Sequence, residues 1–152
     1  MARHETVTSS VHVERPPTEV FDYLADVARH GEWSPKAYRV EGVVVGHQVT
    51  AGERFTSYGW LLGDKDHRND VEVTAVQAPS RLVLSSADQG QVTVNTLTVT
   101  ADRNGSRVER VIEVQRPLGF VGVVFPLIAA LLIRPEVAKG LARLKSNLEG
   151  RA

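Results

Sequence analysis

Between Tyr38 and Arg116 the sequence is built almost entirely from short segments that are rich in Val and Thr and are separated by turn residues. Links as short as Ala51–Gly52 join strands that run in opposite directions, because parallel neighbours need a crossover of a dozen or more residues. The pattern therefore predicts a mostly antiparallel meander. Its six predicted strands are Arg39–Val45, Glu53–Leu62, Asn69–Gln77, Arg81–Ser86, Gln91–Ala101 and Arg107–Gln115.

The segment before this meander supplies one more strand and a short helix. Residues Glu5–Arg15 alternate between apolar and polar side chains, which predicts a first strand. Pro17 is well placed in a first helical turn, and the apolar spacing that follows predicts an amphipathic helix over about Pro17–Ala28. Gly31 and Pro35 then bracket a loop or a second short helix that carries Trp33.

The C-terminal segment, Leu118–Glu149, returns to helical spacing and predicts a long helix. Pro126 and Pro135 each remove a backbone donor, so we expect a kink or a break at one or both. The first part, Phe120–Ile133, is apolar nearly all round, which is more than a helix packed on one side needs. Either both faces are buried, or one faces a cavity, a dimer partner or a membrane surface. The run is shorter than the roughly 20 residues of a membrane-spanning helix and contains a proline, so no transmembrane span is predicted.

Composition excludes several classes of function. The 152 residues contain 18 basic and 18 acidic side chains, so the chain has no net positive charge with which to attract nucleic acid. Cysteine is absent, which rules out disulfides and thiol chemistry and is consistent with a reducing cytoplasm. The N-terminus has no apolar stretch of the kind found in signal peptides, so we expect a soluble cytoplasmic protein.

Motifs for catalysis or cofactor binding are not evident. The five histidines are scattered and show no metal-ligand spacing, and His67 with its neighbouring aspartates is typical of a solvated turn. There is no glycine-rich phosphate loop, dinucleotide fingerprint or nucleophile elbow. The sequence therefore predicts no cofactor and no metal, and it assigns no catalytic residue.

One segment, Val13–Pro35, carries a resemblance to a known family. It has a proline before an apolar helical stripe, then an aspartate and, further on, a tryptophan. These positions are Pro17, Val20, Phe21, Leu24, Asp26 and Trp33. Three further stretches resemble the same pattern, namely Ala51–Phe55, Val71–Ser86 and Asn104–Val114. Together they resemble the START/Bet v 1-like (SRPBCC) superfamily, and most closely its bacterial polyketide cyclase/dehydrase-like branch.

The resemblance implies an α+β helix-grip fold that forms a single domain over residues 1–152. A curved sheet of six or seven antiparallel strands would wrap around the long C-terminal helix, with two short helices after the first strand. The space between sheet and helix would hold a lipid, polyketide or other apolar ligand. The resemblance does not imply a reaction, because a fold hosts many functions.

Strand alternation selects candidate ligand contacts. On the last strand Arg110 shares a face with Ile112, so it either points into an apolar space and needs an anionic partner, or lies near a rim with its head in water. On the third strand, the inner face is formed either by Phe55, Ser57 and Gly59 or by Thr56, Tyr58 and Trp60, and Gly59 could mark a bulge. On the sixth strand, either Asn95 or Val94 faces inward. We favour Phe55 and Asn95 as inward-facing. The predicted ligand-binding set is Phe55, Tyr58, Val73, Asn95, Arg110, Ile112, Phe120, Val124 and Ile128.

Three functions are compatible with these residues. The first is binding of a small hydrophobic molecule, with an acidic or carbonyl head group near Arg110. The second is a polyketide cyclase or dehydratase, for which Tyr58, Arg110 and Asn95 could form an acid–base set if they share a pocket. The third is a regulatory or toxin-like interaction protein. A homodimer is compatible with all three, and Trp33 either packs under the edge of the sheet or contacts the ligand.

Overall fold

The structure is a computed structural model, and it describes residues 3–61, 64–88 and 90–151. Seven antiparallel strands form one sheet in the order β1-β7-β6-β5-β4-β3-β2, and the long C-terminal helix lies over it. The predicted α+β helix-grip fold is thereby confirmed. The strands are β1 (His4–Val13), β2 (Tyr38–Glu41), β3 (Arg54–Leu61), β4 (Asp64–Gln77), β5 (Arg81–Asp88), β6 (Gln91–Asp102) and β7 (Gly105–Gln115). The predicted third strand extended to Leu62, which is outside the described residues.

Two short helices follow β1 as predicted, and the first is shorter than the predicted Pro17–Ala28. Helix α1 is Pro17–Ala25, a 3₁₀ turn covers Val27–Arg29, and α2 is His30–Trp33. Helix α1 ends where Asp26 leaves helical geometry, with φ −85° and ψ 77°. Its buried carboxylate accepts a hydrogen bond from the backbone N–H of Gly46 at 2.9 Å. This contact ties the end of α1 to the loop between β2 and β3.

The C-terminal helix has an interruption between its two prolines. Helix α3 is Phe120–Ile128, a π-helical segment covers Ala129–Ile133, and α4 is Arg134–Glu149. Pro126 lies inside α3 and Pro135 lies in the first turn of α4. Proline removes one N–H and crowds the carbonyl four residues earlier, and a π segment is a usual way to absorb both effects.

The main core lies between α4, α1 and the inner face of the sheet. Helix α4 buries Val137, Leu141, Leu144 and Leu148, each at most 4% exposed. Opposite them lie Val13, Leu82, Leu97, Val99 and Val108 from four different strands, together with Phe21 and Leu24 from α1. A smaller cluster, formed by Val7, Ile112, Ala129 and Val137, joins the π segment to β1 and β7.

We predict that two leucines of the C-terminal helix differ sharply in their contribution to stability. Replacing Leu144, which is fully buried, in a Leu144→Ala variant should lower the free energy of unfolding by about 3 kcal/mol, because the substitution leaves a cavity. The matched Leu131→Ala variant alters a side chain that is 64% exposed and should change it by less than about 0.5 kcal/mol. Urea denaturation followed by circular dichroism measures both. Equal losses would mean that Leu131 is also packed in the core.

Candidate functional site

Strand register places Arg110 on the inner face of the sheet. Arg110 lies opposite Ser9 of β1 and opposite Leu97 of β6. It alternates with Val108 and Ile112, which are both buried on the same face. Its side chain is therefore directed to the side of the sheet that the helices cover.

The inner face has an apolar end and a polar end. The apolar end is filled by the main core. Beyond it, the inner-face positions of four neighbouring strands are polar or small and mostly half-buried, and they are Ser57, Asn69, Ser86, Thr93 and Asn95. Arg110 lies at the boundary between the two ends, and we refer to it with the side chains around it as the Arg110 site.

The guanidinium of Arg110 has an amide and an aromatic ring as its nearest partners. Its Nε donates a hydrogen bond to Oδ1 of Asn95 at 3.0 Å. Its central carbon lies 5.4 Å from the centre of the Trp33 ring, within the range of a cation–π contact. Burial lowers the pKa of Arg110 to about 10, so the group is still cationic at neutral pH. Within the described part of the chain no carboxylate forms an ion pair with it.

Aromatic side chains from α2 and β2 border this cation. Trp33 is 3% exposed, and its indole Nε1 is buried with no hydrogen-bond partner among the described residues. Burial raises the pKa of the Tyr38 phenol, and the Ser57 hydroxyl and the charge of Arg110 partly oppose this effect. Tyr38 is therefore a protonated hydrogen-bond donor at neutral pH.

His30 supports the position of Trp33. Its ring lies 5.0 Å from that of Trp33, and its Nε2 is 2.7 Å from the carbonyl oxygen of Leu24, to which it donates. Burial lowers the pKa of His30 to about 4, and the charge of Arg110 acts in the same direction. The neutral imidazole thus fixes α2, and with it Trp33, against α1.

The family is settled by a sequence comparison. The family model described as polyketide cyclase/dehydrase and lipid transport matches residues 4–149. The chain belongs to this family. The resemblance to SRPBCC proteins is therefore confirmed. No match was found among curated proteins.

Several solved structures share the fold. Ms6760 from Mycobacterium smegmatis is 20% identical, with a TM-score of 0.67 over 99% of this chain and 97% of that one. TTHA0849 from Thermus thermophilus is 16% identical, with a TM-score of 0.72 over 96% of this chain and 98% of that one. DynU16, encoded in the dynemicin biosynthetic locus, is 17% identical with a TM-score of 0.62, and the match covers 95% of this chain and 47% of DynU16. At these identities the likeness is one of fold alone.

Five of the nine predicted ligand-binding residues lie on the inner face of this polyketide cyclase-family fold. Phe55, Val73 and Ile112 are buried there, and Asn95 meets Arg110 directly. Phe55 and Val73 belong to the main core and lie on β3 and β4, which are separated from the strand of Arg110 by β5 and β6. The pairing of β3 with β4 shifts between Gly59 and Leu61, at the place where the sequence allows a bulge.

Tyr58 lies on the opposite face of the sheet from the Arg110 site. It is next to Ser57, which points inward and is 3% exposed, so alternation turns Tyr58 outward. There the Arg39 guanidinium covers its ring, with the central carbon 3.8 Å from the ring centre. The acid–base set of Tyr58, Arg110 and Asn95 therefore does not share one pocket in this structure.

The α3 residues are placed differently from the prediction that they line a cavity. Phe120 is 79% exposed, whereas Val124 and Ile128 are half-buried. Phe125 and Ala129, which are four residues apart, take the side of the helix that is buried. Phe120 is turned well away from that side, so it does not reach the Arg110 site.

Three residues of this site, Ser57, Tyr38 and His30, are outside the predicted ligand-binding set. Ser57 could have been included, because it shares strand parity with Phe55 and so faces the same side of the sheet. Tyr38 precedes the predicted second strand by one residue, and His30 lies between two short helical turns. Their positions depend on how the α1–α2 segment folds back on the sheet, which no local pattern reports.

The outer face of the sheet carries a different kind of depression. An open trough of about 700 Å³ crosses β3 to β6, and its lining includes Arg54, Thr56, Asp70, Glu72, Ser85 and Ala87. Arg54 lies 3.6 Å from Glu72, so the charges of this trough are already paired. No group of three or more potential metal ligands occurs within the described ranges. The Arg110 site is the better candidate, because its cation is desolvated and lacks an anionic partner among the described residues.

We predict that His30 makes the protein less stable in mild acid. Above pH 6.5 the imidazole is neutral in both the folded and the unfolded chain. As the pH falls from 6.5 towards 4, the unfolded chain binds a proton that the folded chain does not. The free energy of unfolding should therefore drop, by about 3 kcal/mol over the whole interval.

Unfolding of the wild type and of a His30→Gln variant, measured at several pH values, isolates this contribution. The difference between their free energies of unfolding should shrink as the pH falls and level off near pH 4. His4→Gln, which removes an exposed imidazole, should leave the slope in place. If wild type and His30→Gln run parallel from pH 7 to 4, the buried imidazole does not titrate as described.

Proposed function

We propose that this protein binds a small hydrophobic molecule with an anionic or carbonyl head group, and that Arg110 holds the head group. The observation that carries the proposal is a desolvated cation on the inner face of the sheet with no carboxylate partner among the described residues. The family description, which includes lipid transport, supports an apolar ligand.

The hydrogen-bonding capacity of Arg110 supports an oxygen ligand. A guanidinium has five N–H groups, and only the Nε–H is used by a described residue, Asn95. The two terminal nitrogens make no hydrogen bond to the described part of the chain. Their fixed fork matches two oxygens of a carboxylate, or one carbonyl together with a second acceptor. The contacts with Asn95 and Trp33 hold the fork in place, which reduces the entropy lost on binding.

The surroundings of Arg110 indicate where the rest of the ligand would lie. In the row of inner-face residues next to Arg110, Ile112 and Leu84 flank Asn95 and are 7% and 8% exposed. The next row in the same direction holds Thr93 and Ser86. An acyl chain or fused ring would therefore run from Arg110 past Leu84, with its oxygen substituents facing Ser86 and Thr93. Trp33 adds an aromatic wall and an unused N–H donor.

We predict that Arg110→Met selectively weakens binding of ligands with a carboxylate. A dansyl-labelled fatty acid and its methyl ester serve as probes, with fluorescence titration as the measurement. Loss of a charge-assisted hydrogen bond of about 1.5–3 kcal/mol should weaken acid binding about tenfold to a hundredfold. The ester should lose less, because it offers only a carbonyl.

The matched control is Arg107→Met on the same strand. Arg107 lies on the outer face, where its side chain is 54% exposed and bonds to Glu109 and Ser10, so its replacement should leave both probes bound as in the wild type. Equal affinity of wild type and Arg110→Met for the acid would exclude Arg110 as the anchor. Failure of the wild type to bind either probe, with native mass spectrometry of protein purified from its host also showing no bound molecule, would count against the binding function itself.

One observation favours a second candidate, a cyclase or dehydratase. Tyr38 is a protonated phenol near enough to Arg110 for the charge to affect its pKa. A phenol and a guanidinium can together polarise a carbonyl and donate a proton, which aldol-type ring closure followed by loss of water requires.

Tyr38→Phe separates the two candidates. In a cyclase, this variant should bind a linear poly-β-carbonyl thioester but form dehydrated product about 100-fold or more slowly, because the proton donor is gone. Product is measured by mass spectrometry as loss of water. In a pure binding protein, the wild type itself should release the thioester unchanged, and Tyr38→Phe should alter only affinity.

A further inference from the structure

Helix α3, the π segment and Leu118 just before them carry a surface that the Arg110 site does not explain. The side chains on it are apolar and at least half exposed, and they are Leu118, Phe120, Val121, Val123, Leu127, Leu131 and Leu132. Four of them recur at helical spacing, at positions 120, 123, 127 and 131. We refer to these seven side chains as the apolar stripe. Soluble monomers rarely expose a contiguous apolar patch of this kind unless it is a binding surface.

The apolar stripe is a second face of the helix and not part of the core. Phe125 and Ala129 are the buried residues of this region, at 8% and 2% exposed. From Pro117 to Ile133 the sequence has no charged residue, so nothing polar interrupts the outer side. A helix that is buried on one side normally carries charges on the other.

Length and composition alone would let this helix cross a membrane. Phe120–Glu149 has 30 residues, and its most apolar 18-residue window has a mean hydropathy of 1.9 with 22% of the window buried. However, α4 is packed into the core through Leu141, Leu144 and Leu148 and carries charges on its other faces. The free apolar part, Phe120–Ile133, extends only about 21 Å at 1.5 Å per residue, which is shorter than the roughly 30 Å hydrocarbon layer. It suits a position in the plane of the bilayer interface.

Basic side chains stand at both ends of the apolar stripe. Arg134 follows it directly, is exposed, and forms no ion pair within the described ranges. At the other end, the backbone N–H of Arg116 donates to the carbonyl of Arg3 at 2.8 Å. This contact places Arg3, which is exposed, beside the start of α3. Anionic head groups complement such cations, and each one near the surface strengthens attachment.

The same charges disfavour a second copy of this chain as the occupant. In a two-fold interface across the apolar stripe, parallel helices would bring Arg134 against its own copy. Antiparallel helices would bring Arg134 against Arg3 and Arg116 of the other copy. Arg116 is paired with Glu5 at 2.8 Å, which leaves Arg3 and Arg134 facing like charges in both arrangements.

We propose that the apolar stripe inserts into the interface of an anionic lipid bilayer, with Arg3 and Arg134 on the head groups. The protein would attach by α3 while the sheet and α4 stay folded outside the hydrocarbon. This inference does not depend on the Arg110 site, because the described partners of Arg110 are Asn95 and Trp33 and not stripe residues.

Vesicle flotation tests the proposal, with vesicles of phosphatidylcholine alone and vesicles that also contain one-fifth phosphatidylglycerol. The wild type should float with the anionic vesicles. The double variant Leu127→Glu/Leu131→Glu should lower its partition coefficient more than about tenfold, because two charges replace inserted side chains. The matched control is Val44→Glu/Val45→Glu, which charges two exposed valines in the β2–β3 loop and should stay within about twofold of the wild type. The partition coefficient of Arg134→Gln should fall about fivefold on anionic vesicles and stay unchanged on phosphatidylcholine vesicles.

A second measurement locates the inserted residue. The chain has no cysteine, so a Phe120→Cys variant can be labelled at that one position with an environment-sensitive fluorophore. Its emission should shift to the blue on anionic vesicles, and the same label on Val44→Cys should not shift. Thermal unfolding of each variant verifies that it is folded.

Three outcomes would overturn the proposal. The first is a wild type that stays with the lipid-free fraction, and the second is a Val44/Val45 control that falls as far as the stripe variant. The third is a dimer, seen by analytical ultracentrifugation, that Leu127→Glu/Leu131→Glu dissociates, which would assign the stripe to a second copy. Arg110→Met should float like the wild type, so failure of the ligand proposal and failure of this one are distinguishable.

Discussion

Burial of the leucine face of α4 against the inner side of the sheet is the contact on which the other features depend. Leu141, Leu144 and Leu148 are at most 1% exposed, and they meet side chains from β1, β5, β6 and β7. This packing covers the apolar end of the inner face and fixes where the helix must lie. Arg110 lies beside this packed region, where Trp33 of α2 and Asn95 of β6 are its partners.

A cation at this boundary needs a physical reason, since a buried guanidinium without a partner is costly. Part of the cost is offset by Asn95, which accepts from Nε at 3.0 Å, and by the face of Trp33. Neither neutralises the charge. Strand alternation also prevents Arg110 from turning to the outer face, where Arg107 and Arg39 find carboxylates. The position is therefore one where a bound anion would add the most stabilisation.

The sequence allowed much of the sheet to be predicted, because alternation and turn residues are local signals. Alternation favoured Phe55 and Asn95 as inward-facing and left Arg110 either inward-facing or near a rim, and the register places all three on the inner face. Tyr58 could not be assigned, since a bulge near Gly59 made the parity of its strand ambiguous. Tyr38 and His30 reach the site through the fold of the α1–α2 segment, which depends on the buried contacts of Asp26 and on packing distant in sequence. Phe120 was misplaced because apolarity does not say which side of a helix meets the sheet.

The π segment explains how one face of the helix stays on the sheet from α3 into α4. Positions spaced by four residues drift gradually round an α-helix, because it has 3.6 residues per turn. The π segment, whose hydrogen bonds span five residues, reduces that drift, so Phe125 and Ala129 lie on the buried face that Val137 and Leu141 continue. The apolar stripe lies on the opposite side of α3 and the π segment. Removing the discontinuity would rotate Leu127 and Leu131 relative to the leucines of α4, so core packing and the exposed stripe are coupled through this one segment.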